Sequence, residues 1–235
     1  MATQFFGQRI KRNEDPRLLT GKALFVDDVD LPDMAHAAFL RSPYAHARIL
    51  NLDVDKARQR PGVIAVYTAR DLGDYWQPGP LLVSPPPIEG IVFHERTQVP
   101  LAKDKVRFAG EPVALVVAES RYLAEDALDD IQVDYEPLEA VVDLEKAISP
   151  GAPRVHEDLE SNIAAHVVQT KGDYQAAKEV AYKVIRRRLL YDRGVAAAIE
   201  NRGIVADWDR LSAKLTVWDT THEPIPIRNG LADML

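Results

Sequence analysis

The 235-residue chain contains no cysteine. That excludes disulfides, a thiolate nucleophile, and any zinc or iron–sulfur site held by its own thiolates. Redox chemistry would therefore need a cofactor, or clusters carried on another subunit. Long hydrophobic runs are also missing: nothing approaches the roughly 18–20 consecutive apolar residues of a membrane-spanning helix. Residues 1–6 lack both the basic and the apolar region of a signal peptide, so a cytoplasmic protein is the expectation. Positive charge is in deficit. Against 36 acidic residues stand 29 Lys and Arg, a formal net charge of -7, which is the wrong sign for a nucleic-acid or anionic-membrane partner. The histidines are His36, His46, His94, His156, His166 and His222; none pairs at i,i+4 and no HExxH occurs, so no local metal site is expected. GxGxxG, P-loop and GxSxG patterns are absent as well, which removes the common nucleotide and hydrolase motifs.

What is present is ordinary globular material, 46% hydrophobic and 28% charged. The length suits one large domain or two small ones. Residues 7–17 are polar without periodicity and read as an extended strap leading to a turn at Gly21. A strand is expected over 35–40, ended by Ser42-Pro43. Asp53 can N-cap a short helix running to Arg60, which Pro61-Gly62 stops. A β-branched strand follows over 63–67. Six of the sixteen prolines lie between Pro78 and Pro100, three of them consecutive at 85–87. Three prolines in a row deny a ladder its N–H donors, so residues 73–104 read as a long surface loop.

Residues 106–108 and 113–117 read as a strand pair turning at Gly110, the second member apolar on both faces and so expected to be buried. Ser120 is placed to N-cap a helix with Leu123, Ala124, Ala127, Leu128 and Ile131 on one face. A short strand at 133–135 closes a mixed α/β domain near Val142. Residues 148–153 carry two prolines and a glycine and mark a linker. Beyond it we expect a helix at 174–181, a long strand at 182–191, and a hairpin of 203–209 with 214–219. Pro226 could open a last helix whose face is Ile227, Leu231, Met234 and Leu235. Its unfinished apolar face reads as a cut or a docking surface rather than a natural terminus.

Candidates for chemistry are few. Asp27-Asp28 and Asp129-Asp130 could serve acid–base work, but adjacent residues rarely face each other and the plainer reading is a turn and a helix end. Arg186-Arg187-Arg188 could grip a phosphate; in a strand, alternate members point to opposite faces, which favours solvated charges. Glu200-Asn201-Arg202 interrupts apolar flanks, and a buried Glu and Arg there must pair or hydrogen-bond, so a core ion pair is the favoured reading over a ligand contact. Thr220-Thr221-His222-Glu223-Pro224 is a polar cluster between a strand and a helix start, where backbone N–H groups favour anionic ligands. Taken alone, His222 is more often structural or exposed than functional.

The same segments resemble a known family. Residues 12–21, RNEDPRLLTG, are similar to the opening strap of the large subunit of xanthine dehydrogenases, aldehyde oxidases and aerobic carbon monoxide dehydrogenases. Residues 41–47, RSPYAHA, resemble its SPYAHA signature, and 106–114, VRFAGEPVA, its KVRFVGEPVA element. Glu200-Asn201-Arg202-Gly203 looks like the ME(P/N)RG strand, and residues 218–224, WDTTHEP, like W-x-S-T-Q-x-P. The fold implied is mixed α+β: a strap over 1–19, an α/β hammerhead domain over 20–142, a linker over 143–160, and the incomplete start of a first molybdopterin-binding domain over 161–235. The resemblance places Thr221 and His222 against a molybdenum–molybdopterin cytosine dinucleotide cofactor. His222 stands where the family has a glutamine beside a terminal oxygen ligand of the metal. A histidine can donate one N–H, but its reach and protonation differ from an amide's.

In the family the glycine-rich loop, the substrate-facing loop and the glutamate base come later in the large subunit, past the position of Leu235. No catalytic or metal-ligating residue is therefore assigned here, and the chain is not expected to be active alone. The resemblance implies iron–sulfur clusters and FAD on partner subunits, together with the rest of the large subunit or a second chain. It implies oxidation of a carbon centre with water as the oxygen source, the substrate being an aldehyde, an N-heteroaromatic ring or carbon monoxide. The alternative is a non-catalytic hammerhead module that serves assembly.

Overall fold

The computed structural model describes residues 6–80, 91–94, 96–191, 194 and 197–235; the proline run 85–87 lies outside them. The elements are α1 (Asp15–Leu19), β1 (His36–Arg41), β2 (Ala47–Asp53), α2 (Asp55–Arg58), β3 (Val63–Thr68), β4 (Val92–Phe93), β5 (Lys105–Val106), β6 (Pro112–Ala118), α3 (Arg121–Leu128), β7 (Gln132–Pro137), α4 (Leu144–Ala147), β8 (Ala165–His166), α5 (Tyr174–Glu179), β9 (Ile204–Asp209), β10 (Lys214–Asp219) and α6 (Pro224–Met234). The class is α+β, as read from the sequence. Two compact units result, one from the described residues of Met1–Pro32 and Leu190–Pro224, the other from those of Asp33–Leu189 and Ile225–Leu235.

The larger unit is built around β6, the middle strand of an antiparallel sheet ordered β1-β6-β3. Pro112 is tolerated in this central strand because it is the first residue, where β1 slips register at Leu40/Arg41. Ala114, Val116 and Ala118 of β6 are buried with Ala124 and Ala127 of α3 and with Ile131. Burying a side chain such as Ile131 contributes roughly 1.5–3 kcal/mol. The Ser120 hydroxyl caps α3 by accepting from the Leu123 N–H at 3.3 Å, as its position in the sequence implies. Val113 instead joins a second cluster with Ala47, Ala102 and Val106. One strand thus serves two cores, and that accounts for its apolar run.

A second antiparallel sheet is ordered β5-β2-β7. Here the structure corrects the sequence twice. Residues 106–108 do not pair with β6; β5 stops at Val106 and pairs with β2. The strand β2 was not expected at all. Its register shifts between Ile49 and Asn51, so the inward Ile49 and Leu52 are three residues apart while Leu50 points to solvent. That bulge erases the period of two by which a half-buried strand is recognised.

Three further expectations change. The strap at 7–17 is not extended throughout, since Pro16 sits in the first turn of α1, where its missing N–H costs nothing. In the proline loop, Trp76 Nε1 donates to the Leu101 carbonyl at 2.8 Å near the loop's two ends, and β4, within the loop, pairs with β8. The long strand expected at 182–191 is absent. These residues are exposed and join no ladder among the described residues, so high strand propensity there meets no partner. Arg186, Arg187 and Arg188 are surface charges, Arg188 pairing with Glu145.

The linker is fastened within its own unit. Lys105 pairs with Glu157, Arg96 with Asp158, and the Asn162 amide donates to the carbonyls of Ala147 and Pro153. Burial, then the nearby Arg107 and Arg96 charges, hold the His156 imidazole below the usual histidine range. The Asp129-Asp130 pair ends α3 as expected: Asp130 lies 2.6 Å from Lys56 and 2.7 Å from Arg60, which lower its pKa.

Backbone conformation favours glycine at the turn that ends α2. Gly62 takes φ +82°, and a Cβ there would lie 2.5 Å from Leu123 Cδ1 of α3. Left-handed backbone costs an L-residue about 1–2 kcal/mol before any clash. Chemical denaturation should show Gly62→Ala less stable than the parent by at least that amount. An unchanged midpoint would contradict the packing of the 61–62 turn against α3.

Candidate functional site

The polar cluster near the chain's end belongs to the smaller unit. Its frame is the β9–β10 hairpin, paired from Lys214↔Asp209 to Asp219↔Ile204. Asp209 closes the turn, accepting from the Leu211 N–H at 2.9 Å and from the Ser212 hydroxyl. The hydroxyl bond does most to lower its pKa. The hairpin thus brings the two distant polar spots together: the Thr220 N–H donates to the Gly203 carbonyl at 3.1 Å. Beyond it the chain turns, with the Thr221 N–H on the Asp219 carbonyl at 3.0 Å and the Glu223 N–H on Thr221 Oγ1 at 3.0 Å.

Glu200 is the centre of this arrangement. Its Oε1 accepts from the Val26 N–H at 3.1 Å and from the Thr220 hydroxyl at 3.4 Å. Val26 opens a single 3-10 turn, Val26–Asp28, and the preceding Phe25 N–H is taken by Asp28 Oδ2 at 2.9 Å. Asp27 and Asp28 are therefore turn residues, as the plainer reading had it. Gly203 completes the junction. A Cβ on it would meet Val26 Cγ1 at 3.1 Å, closer than nearly all real contacts of that kind.

The result is a cleft of about 370 Å³. It is lined by the apolar Leu24, Phe25, Val26 and Val29 and, at its rim, by Trp218, Asp219, Thr220, Thr221 and His222, with Glu200 hydrogen-bonded to both Val26 and Thr220. Thr221 and His222 are exposed at this rim. Thr221 Oγ1 already accepts one N–H, so its own O–H remains able to donate. Among the described residues no group of three or more His, Asp or Glu side chains is arranged to hold a metal ion.

Comparisons with known proteins identify the family to which these elements belong. Residues 20–139 match the family model for the aldehyde oxidase and xanthine dehydrogenase α/β hammerhead domain. Residues 155–235 match that for a molybdopterin cofactor-binding domain. The chain belongs to the molybdenum hydroxylase large-subunit family. It corresponds to the N-terminal part of such a subunit, a hammerhead domain followed by the start of a cofactor-binding domain. It is 37% identical to the nicotine 6-hydroxylase large subunit of Paenarthrobacter nicotinovorans over 93% of this chain and 26% of that one. Identity to the carbon monoxide dehydrogenase large chain of Afipia carboxidovorans is 38%, over 96% and 28% of the two chains. Among solved structures, quinoline 2-oxidoreductase from Pseudomonas putida 86 superposes with a TM-score of 0.85 at 37% identity, covering 97% of this chain and 28% of that one. The chain thus spans about a quarter of the length of these relatives.

Thr221 and His222, singled out in the sequence, line the cleft, whereas Glu200 was misread and the apolar side was missed. Glu200 forms no ion pair with Arg202; it binds a backbone N–H and a hydroxyl, and Arg202 is exposed. Leu24-Phe25-Val26 carried a weak signal, an apolar triplet just before two aspartates, with no period to say what it packs against. A surface arginine without such a role should be dispensable. Arg202→Ala should change unfolding free energy by less than about 0.5 kcal/mol, whereas breaking a buried ion pair costs about 3–5 kcal/mol. A loss of the second size in a denaturant titration would restore the ion-pair reading.

Proposed function

We propose that this chain forms one wall of a molybdenum–pterin site in a hydroxylase large subunit, with Thr221 and His222 facing the cofactor. The observation that carries the reading is the cleft between the Leu24–Val29 turn and the Thr220–His222 rim, apolar on one side and hydrogen-bonding on the other. A pterin needs that combination: flat apolar contact, with donors and acceptors at its edge. The Thr221 hydroxyl would donate, and His222 would present one ring nitrogen where the family presents an amide. When bound, the molybdenum centre supplies two-electron oxidation of a carbon centre, with water as the oxygen source. The groups of this chain bind and orient; none is assigned to proton transfer.

On this reading the domain scheme is 1–19, 20–142, 143–160 and 161–235 as read from the sequence. The cofactor takes the cytosine dinucleotide form, and iron–sulfur clusters and FAD lie on partner subunits of a cytoplasmic complex. The relatives support a substrate that is an N-heteroaromatic ring, an aldehyde or carbon monoxide. A second reading, an assembly module without cofactor, is favoured by one feature of the larger unit: Phe39 and Tyr67 remain 42% and 40% exposed on one sheet.

Metal analysis separates the two. Purified alone, the chain should contain no molybdenum and reduce no dye with any aldehyde. Assembled with the remainder of a large subunit and its partners, it should carry one molybdenum per large subunit. Stoichiometric molybdenum and turnover in the isolated chain would overturn the shared-site reading; a correctly assembled complex without molybdenum would favour the assembly module.

A further inference from the structure

Glu200 has no place in the chemistry just proposed, yet its carboxylate is half-buried beside the rim. One oxygen serves two segments 194 residues apart: Val26, through its backbone N–H at 3.1 Å, and Thr220, through its hydroxyl at 3.4 Å. We infer that Glu200 is a positioning residue that fastens the Val26–Asp28 turn to the Thr220–His222 rim and so sets the width and orientation of the cleft. This rests on the reading of Thr221 and His222 as cofactor-facing. The clasp itself is a property of this chain.

Three features support it. The Val26 N–H begins a turn and has no local carbonyl to bind, so removing the carboxylate leaves a part-buried donor without its acceptor. A charged acceptor is stronger than a neutral one, which suits an oxygen that must hold two donors. Gly203, three residues on, gives Val26 the room to approach and offers its carbonyl to the Thr220 N–H. Glu200 and Gly203 thus act on the same two segments from one short stretch, and this gives a physical reason for a glutamate and a glycine at that spacing.

Amide exchange and two-dimensional NMR on the folded chain test the clasp without cofactor. In Glu200→Ala, exchange at Val26 should accelerate by about tenfold or more, the loss expected for a charge-assisted bond. The resonances of Thr221 and His222 should move, while those of Val116 and Ala124 in the other unit stay put. Glu200→Gln keeps an acceptor oxygen and should restore most of the Val26 protection. Thr220→Val removes only the hydroxyl arm and should move the rim resonances with Val26 still protected; it also covers the case in which Glu200→Ala does not fold. Unchanged Val26 exchange in Glu200→Ala, no rescue by Gln, or unmoved rim resonances in Thr220→Val would each overturn the inference. Failure of the molybdenum reading shows instead in the assembled complex as missing metal with the clasp intact.

Discussion

A part-buried backbone N–H must have an acceptor, and Val26 finds its acceptor 174 residues away in Glu200. That requirement organises the smaller unit. Once the carboxylate is held there, its second bond draws in Thr220, the Gly203 carbonyl takes the Thr220 N–H, and the chain beyond must turn at Thr221. The cleft follows from these bonds rather than from a hydrophobic core. Val205, Val217 and Trp218 of the hairpin are only half-buried, and Ile204 and Trp208 face solvent.

The larger unit is organised differently. Its two cores are small and alanine-rich: Ala114, Ala118, Ala124 and Ala127 in one, Ala47 and Ala102 in the other. Small residues let α3 lie close on the β1-β6-β3 sheet, and β6 supplies both clusters. Ion pairs and side-chain hydrogen bonds then tie down the 153–164 stretch, whose Val155 and Leu159 are only half-buried. The exposed Arg96–Asp158 pair contributes little by itself, whereas the buried Lys105 ammonium needs Glu157 as its partner, and together they choose one path for the chain.

Elements with a local cause were legible in the sequence. The Ser120 cap, the α3 stripe, the 203–219 hairpin and the strands at 36 and 63 each carry their signal within a few residues. What failed had a distant cause. The bulge in β2 is imposed by pairing with β7, and the partner of β5 is not its neighbour in sequence. The 182–191 segment has strand-forming residues but no strand to pair with among those described. At the site, the Thr220–Pro224 cluster stood out because polar residues gather beside a strand end, and its Thr220, Thr221 and His222 line the cleft. The role of Glu200 was hidden because its partner is a backbone N–H, and a backbone group leaves no residue type to read.

The central claim is that the Thr220–His222 rim faces the metal cofactor. Anomalous diffraction at the molybdenum edge, from crystals of the assembled large subunit containing this chain, tests it most directly. The account predicts a single strong peak beside the rim, with His222 among the nearest side chains to it. A peak remote from Thr221 and His222, with the cleft filled by other protein, would contradict it.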